Sequence, residues 1–306
     1  MLKRIVFLLT AAVLVISGIA LIKNELQDNA SMHITLPITV TLYRKDACRI
    51  DTLTYEEYLT GCVFAEVSPA YGKEALKAAA CAINCRTLCD LQSDERANGA
   101  QLSDEVHPWL SPEEAAEQHG SSYKSYLRKV QDAVQYGTDH VLLYEGSIFP
   151  APFCAISTGV TEDGGACLAS KELPCDKDND EGLSTAACSV NELRRILTEL
   201  TGVSRLSADP SEWFGNAVYA KGGTLSEIRF GGARLTGEQL RSIFSLRSAA
   251  ITVEYAEGRF LFTVKGIGDN LGMSLNAAAE MAAAGKSAEE ILAYFYSPAE
   301  LAVLNI

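Results

Sequence analysis

Glu66 lies among Val63, Phe64, Ala65 and Val67. A carboxyl group crowded by apolar side chains suits general-acid chemistry near neutral pH, because burial disfavours the charged form. The competing reading is an exposed carboxylate at a helix end. Asp269, within Gly266-Ile-Gly-Asp-Asn, is the second carboxylate of interest. Close to Glu66 it would raise one of the two pKa values by like-charge repulsion; alone it is a polar turn residue. The chain has no GxSxG elbow, P-loop or HExxH, so the common nucleophile, phosphate and zinc-protease signatures are absent. The histidines at 33, 107, 119 and 140 show no paired ligand spacing, and no catalytic metal is expected.

Nine cysteines stand at 48, 62, 81, 85, 89, 154, 167, 175 and 188. Cys81, Cys85 and Cys89 recur every fourth residue, which puts them on one helix face as small apolar groups. Cys154, Cys167, Cys175 and Cys188 share a loop-rich stretch. They read as one or two disulfides, as buried thiols, or as a structural zinc site, although no CxxC is present. Apart from that zinc, no cofactor is expected.

The elements that must position these groups follow from the pattern. Residues 34–43 alternate and are β-branched, which predicts a strand. Thr54 with Glu57 forms a capping-box pair opening a helix that runs to about Val63. Helices are predicted over 72–91 and 122–136, the latter stopping near Gly137. Strand-like runs at 140–145 and 147–156 flank Glu145-Gly146. Residues 157–188 read as loop. A helix follows over 189–202, then a hairpin at 217–230, a helix at 236–244, two strands within 252–265, and helices over 274–284 and 287–296. Strands and helices mix without a βαβ rhythm, so the fold class is α+β.

The first 23 residues read as a signal anchor. Lys3-Arg4 precedes Ile5–Ile22, a run without charge that as a helix extends about 27 Å, close to the bilayer's hydrocarbon thickness. Cations ahead of the run place the rest of the chain outside the cytoplasm. A cleaved signal peptide, cut near Ser17-Gly18-Ile19-Ala20, is the competing reading. Residues 24–33 then form a polar tether and 34–306 a single mixed domain. Beyond the apolar run the charge is strongly acidic, within a chain total of −13. That excludes broad nucleic-acid binding, which needs basic surface.

Three blocks resemble the stage II sporulation protein D family, also described as the amidase-enhancer family. The first is Tyr55–Val67 followed by Glu74-Ala-Leu-Lys-Ala. The second runs from Asp132-Ala-Val through Val141–Tyr144 to Ser157-Thr-Gly-Val-Thr-Glu162. The third runs from Leu240 through Gly266–Ser274 to Gly285-Lys-Ser-Ala-Glu-Glu-Ile-Leu-Ala-Tyr-Phe-Tyr296. They occur in the family's order across 34–306. Residues 92–122 read as an insertion, and the Cys-rich loop at 154–188 has no clear counterpart. The chain also departs from the family pattern. Asp269 stands where the family has His, Asn270 where it has Gly and Leu275 where it has Gln. The family's Arg-Thr register holds Asn84-Cys85, with Arg86-Thr87 two residues later.

The resemblance implies a lytic transglycosylase that cleaves peptidoglycan strands stripped of their peptides during engulfment. It implies Glu66 as the acid, and Asp269, Ser157, Thr158, Thr161 and Ser274 as glycan contacts. Taken one by one, these hydroxyls read first as local turn bonds. It also implies a membrane-anchored, extracytoplasmic protein that works beside a cell-wall amidase and a membrane scaffold. The departures motivate a second reading: a catalytically weak paralogue that binds glycan or stimulates an amidase.

Overall fold

A computed structural model describes residues 34–93, 96–203 and 205–304. The anchor and tether assigned to 1–33 lie outside them. Among the described residues, no helix is long and apolar enough to cross a membrane.

The first strand, β1 (Thr39–Arg44), pairs antiparallel with β2 (Arg49–Thr54). Thr54 then caps α1 (Tyr55–Glu66): its hydroxyl accepts from Glu57 N and Glu57 returns a carboxylate to Thr54 N. This is the expected capping box, and it fixes where strand gives way to helix. The helix runs three residues beyond the predicted end, so Glu66 is its last residue.

α2 (Lys73–Gln92) is buried on nearly every side from Ala75 to Cys85. Its alanines let neighbouring backbones approach closely, which a helix of large side chains would prevent. The 92–122 stretch contributes β3 (Leu102–Ser103), parallel to β1, and α3 (Pro112–His119). α4 (Tyr123–Asp139) continues through the expected stop at Gly137. Gly137 is needed there for space: a Cβ on it would lie 2.8 Å from the Ala80 carbonyl carbon of α2.

Next come β4 (His140–Tyr144), β5 (Ser147–Ile148) and β6 (Phe153–Cys154). The stretch expected as loop, 157–188, instead contains α5 (Pro174–Lys177) and most of β7 (Leu183–Ser189). β7 alternates weakly and half its residues face solvent, so its sequence carries little strand signal. Its seven-residue register with a distant partner supplies the order.

α6 (Val190–Thr201) is capped by Ser189. β8 (Phe214–Tyr219), β9 (Leu225–Phe230) and β10 (Ala233–Leu235) form an antiparallel sheet, followed by α7 (Gly237–Phe244). β11 (Ala250–Ala256) and β12 (Arg259–Lys265) form a hairpin whose second strand pairs with β7. Trp213, Phe230, Phe260 and Phe262 centre the apolar cluster beneath these sheets. β13 (Met273–Ser274), α8 (Leu275–Ala283), α9 (Ala288–Tyr296) and β14 (Glu300–Val303) complete the chain. β14 pairs with β4, and β13 lies parallel to β6. The mixture matches the expected α+β class, and Pro37–Ile306 forms one compact unit.

The Gly137 contact is testable. Gly137→Ala should destabilise the fold by about 1–3 kcal/mol, the usual cost of overpacking a close contact. Urea unfolding should show a lower midpoint with an unchanged slope; an unchanged midpoint would mean α2 and α4 are not in that contact.

Candidate active site

The residues 58, 62 and 66 line one face of α1, since positions four apart stack along a helix. That face meets α2, and there Glu66 is bound by Arg86. Arg86 Nη2 donates to Glu66 Oε1 at 2.5 Å and Nη1 donates to Oε2 at 3.0 Å. The glutamate side chain is only 12% exposed and the arginine 20%. A bidentate fork of this kind is among the stronger hydrogen-bonded arrangements available to a carboxylate. Its sequence neighbours Val63, Phe64 and Val67 are buried. The carboxylate itself, however, is half of an ion pair.

The pair sits in a shaped environment. Burial opposes the charge on Arg86, but the Glu66 carboxylate outweighs it and holds the guanidinium above its ordinary pKa. Its Cζ lies 4.9 Å from the centre of the Phe153 ring, a cation–π distance. Its Nε is buried and makes no hydrogen bond among the described residues. Burial, helped by the charge on Glu66, pushes the Cys62 thiol up to about 12. Burial likewise raises the Tyr58 phenol well above its usual value. Both therefore stand beside the pair as neutral groups.

The two-residue displacement of Arg86 has a structural counterpart. Asn84 faces the interior, where it accepts from Tyr55 Oη at 2.6 Å and donates to the Gly137 carbonyl at 2.9 Å. Two residues turn a helix by about 200°, so Arg86 faces the α1 carboxylate while Asn84 ties α1, α2 and α4 together.

β6 links this pair to the second half of the chain. Phe153 lies under Arg86, and the neighbouring Cys154 thiol is pushed up by burial and by the charges of Asp269 and Asp176. β13 reaches β6 through Gly272: φ is +71°, and a Cβ there would stand 1.9 Å from the Pro152 carbonyl oxygen. Asp269 remains open to solvent while protein crowds it from one side. This desolvation raises its carboxyl pKa, against two backbone N–H groups and the Arg241 charge that lower it.

The remaining predicted contacts are held inside the fold. Ser157 is buried and donates its hydroxyl to Asp176 Oδ2 at 2.6 Å. Thr158 donates to the Gly222 carbonyl at 2.5 Å, and Thr161 Oγ1 accepts from Lys171 N at 2.8 Å. Ser274 is buried and caps α8. These are the local bonds that compete with ligand contacts for such side chains. Ser157 and Thr158 nonetheless help line a cavity of about 330 Å³ with Asp176, Lys177 and Lys265. A larger cavity, about 660 Å³, adjoins Gly61, Phe64 and Trp109. Phe64 is turned about 200° from Glu66 on α1.

Asp176, Tyr71 and Lys129 carried no signal in the sequence. Asp176 is buried and accepts from Ser157 N, Ser157 Oγ and Asn276 Nδ2. It thereby buckles α5 to the segment that follows β6 and to α8. Tyr71, in the turn after Glu66, has its phenol raised by burial and by the charges of Glu181 and Asp176. Lys129 Nζ donates to the Pro69 carbonyl at 3.0 Å and holds that turn. Asn270, at φ +61°, donates to the Val160 and Gly222 carbonyls and accepts from Thr158 N. Asn tolerates this left-handed conformation better than most residues, which makes it a workable replacement where the family has Gly. The four cysteines considered for zinc lie on separate elements, Cys154 in β6 and Cys188 in β7 among them. All nine are free thiols, and no metal-holding group occurs among the described residues.

Two outcomes follow. Asp176→Ala would strand three donors, a loss on the order of 3 kcal/mol, measurable by chemical denaturation; wild-type stability would contradict the buckle. The Asp269 carboxyl should titrate above the ordinary Asp value in carbon-detected NMR, and Arg241→Gln should move it higher. Because its folded pKa is raised, the fold binds that proton more tightly. The group's favourable contribution is present at low pH and fades as pH rises through the folded value. A titration at or below the ordinary value would refute this.

Comparison with known proteins agrees with the residue patterns. Residues 43–144, which include Glu66 and Arg86, match the family model described as Stage II sporulation protein. Stage II sporulation protein D of Bacillus amyloliquefaciens is 29% identical over 280 residues, covering 87% of this chain and 79% of the relative. The protein of the same name in Bacillus subtilis (strain 168) is 27% identical over 278 residues, with the same coverage. An uncharacterized protein of Brachyspira hyodysenteriae is 26% identical over 274 residues, 84% of this chain and 68% of that one. Residues 43–144 thus carry a domain of the stage II sporulation protein family, in a chain related to stage II sporulation protein D over most of its length.

Proposed function

We propose that the chain is a sporulation protein of the cell envelope that cleaves denuded peptidoglycan strands as a lytic transglycosylase, with Glu66 as its acid and base. The observation that carries this reading is the placement of Glu66: a largely enclosed carboxylate at the end of α1, inside the family-matched segment. In the reaction, protonated Glu66 gives its proton to the glycosidic oxygen as the C1–O bond breaks. The muramic 6-hydroxyl then attacks C1 and returns its proton to the Glu66 carboxylate. One acid suffices and no water is consumed, whereas two-carboxylate glycosidases need a nucleophile or an activated water. Arg86 must release Glu66 before the first transfer. Asp269, at the open edge beside β6, is the second carboxyl available to sugar hydroxyls. The anchor read from residues 5–22 would hold the domain outside the membrane, beside an amidase and a membrane scaffold.

The second reading, a glycan binder or amidase stimulator without cleavage, is favoured by one observation: the Glu66 carboxylate is already satisfied by Arg86. One experiment separates the two. The purified full chain is incubated with denuded strands and the products are weighed by mass spectrometry. Cleavage predicts anhydromuramic ends that fall by about 10²-fold or more in Glu66→Gln. Retained binding with no such ends in the wild type would instead establish the second reading.

A further inference from the structure

We infer that Arg86 is the residue that reads the substrate's free carboxylate, exchanging Glu66 for it and so releasing the acid only when the correct strand is bound. This rests on the cleavage of denuded glycan proposed above. Removing a stem peptide converts the lactyl amide of each muramic acid into a carboxylate. The chemical difference between denuded and peptide-bearing strands at that position is therefore one negative charge with two acceptor oxygens. Such a group has the shape that a guanidinium fork binds bidentately.

Three features of Arg86 fit that exchange. Its fork already holds a carboxylate in the required geometry, at 2.5 and 3.0 Å. Its Nε is buried and has no acceptor among the described residues; orphaned N–H groups are uncommon in native folds. If the side chain turns out from Glu66, its Nε–Nη2 edge becomes a second fork for a carboxylate. The side chain is also 20% exposed and rests on Phe153, so it can turn while keeping its aromatic support. The chain's overall charge of −13 makes such a local cation necessary, because an anionic strand is otherwise repelled.

The exchange makes substrate recognition and acid release one event. While Arg86 grips Glu66, the carboxylate keeps its partner. When the lactyl carboxylate takes the fork, Glu66 loses its counter-charge beside Cys62 and is released to act as the acid. Lysine at position 86 would keep the charge but lose the fork, so it should rescue only part of the effect.

The test uses the full chain and two probes: denuded strands with free lactyl carboxylates, and the same strands converted to lactyl methylamides. Wild type and Glu66→Gln should bind the carboxylate form roughly ten- to hundredfold more tightly than the methylamide. Glu66→Gln should bind it more tightly than wild type does, since the internal competitor is gone. Arg86→Lys should show intermediate discrimination. Arg86→Gln should bind both forms alike, as should Glu66→Gln/Arg86→Gln, which avoids stranding a charge if the single variant fails to fold. Wild-type cleavage with discrimination surviving in the double variant would overturn the exchange while leaving the proposed activity intact. Discriminating binding by Glu66→Gln that disappears in the double variant, without cleavage by wild type, would uphold Arg86 as the carboxylate reader and overturn the coupling to catalysis. No binding to either strand would overturn both.

Discussion

The bidentate contact between Glu66 and Arg86 is the constraint around which the other site elements are arranged. Both side chains are mostly enclosed, so neither can lose its partner without cost. Removing one member of a buried pair commonly costs about 3–5 kcal/mol because it leaves an uncompensated charge. Each member therefore depends on the other to keep α1 and α2 free of a stranded charge.

Maintaining that contact requires the two helices to be fixed independently. The Thr54–Glu57 capping box sets the start of α1, and Asn84 bonds Tyr55 to the end of α4. α2 can lie between α1, α4 and α8 because its central residues are small. On the far side, β6 carries Phe153 to the guanidinium and Cys154 to the neighbourhood of Asp269. The second half of the chain is then held by two polar knots. Asp176 gathers Ser157 and Asn276. Asn270 and Glu162 grip the β8–β9 turn, Glu162 accepting from Gly222 N and Thr224 N. Buried polar networks are favourable when their donors and acceptors are satisfied, and Ser157 and Thr158, first considered for sugar binding, serve these networks.

Much of this was legible where the signal is local. The capping box, the Ala-rich helix, the hairpin around Gly222-Gly223 and the two terminal helices all follow from spacing and capping residues. The boundaries failed where tertiary contact decides. α4 passes Gly137 because Ala80 needs the space, not because a helix ends there. β7 is ordered by a partner strand, Lys265 of which lies against Leu183. The role of Arg86 was hidden for a similar reason: its offset from the family register is visible in the sequence, but its meaning depends on which face of α2 meets α1. Asp176 gave no signal beyond an acidic loop, because its three donors come from residues 157 and 276.

The most direct test of the account is a crystal structure of the Glu66→Gln protein with a denuded tetrasaccharide. The account requires a glycosidic oxygen within about 3 Å of the residue 66 side chain, with Arg86 turned onto a lactyl carboxylate. A sugar bound elsewhere, with Arg86 still joined to residue 66, would contradict it.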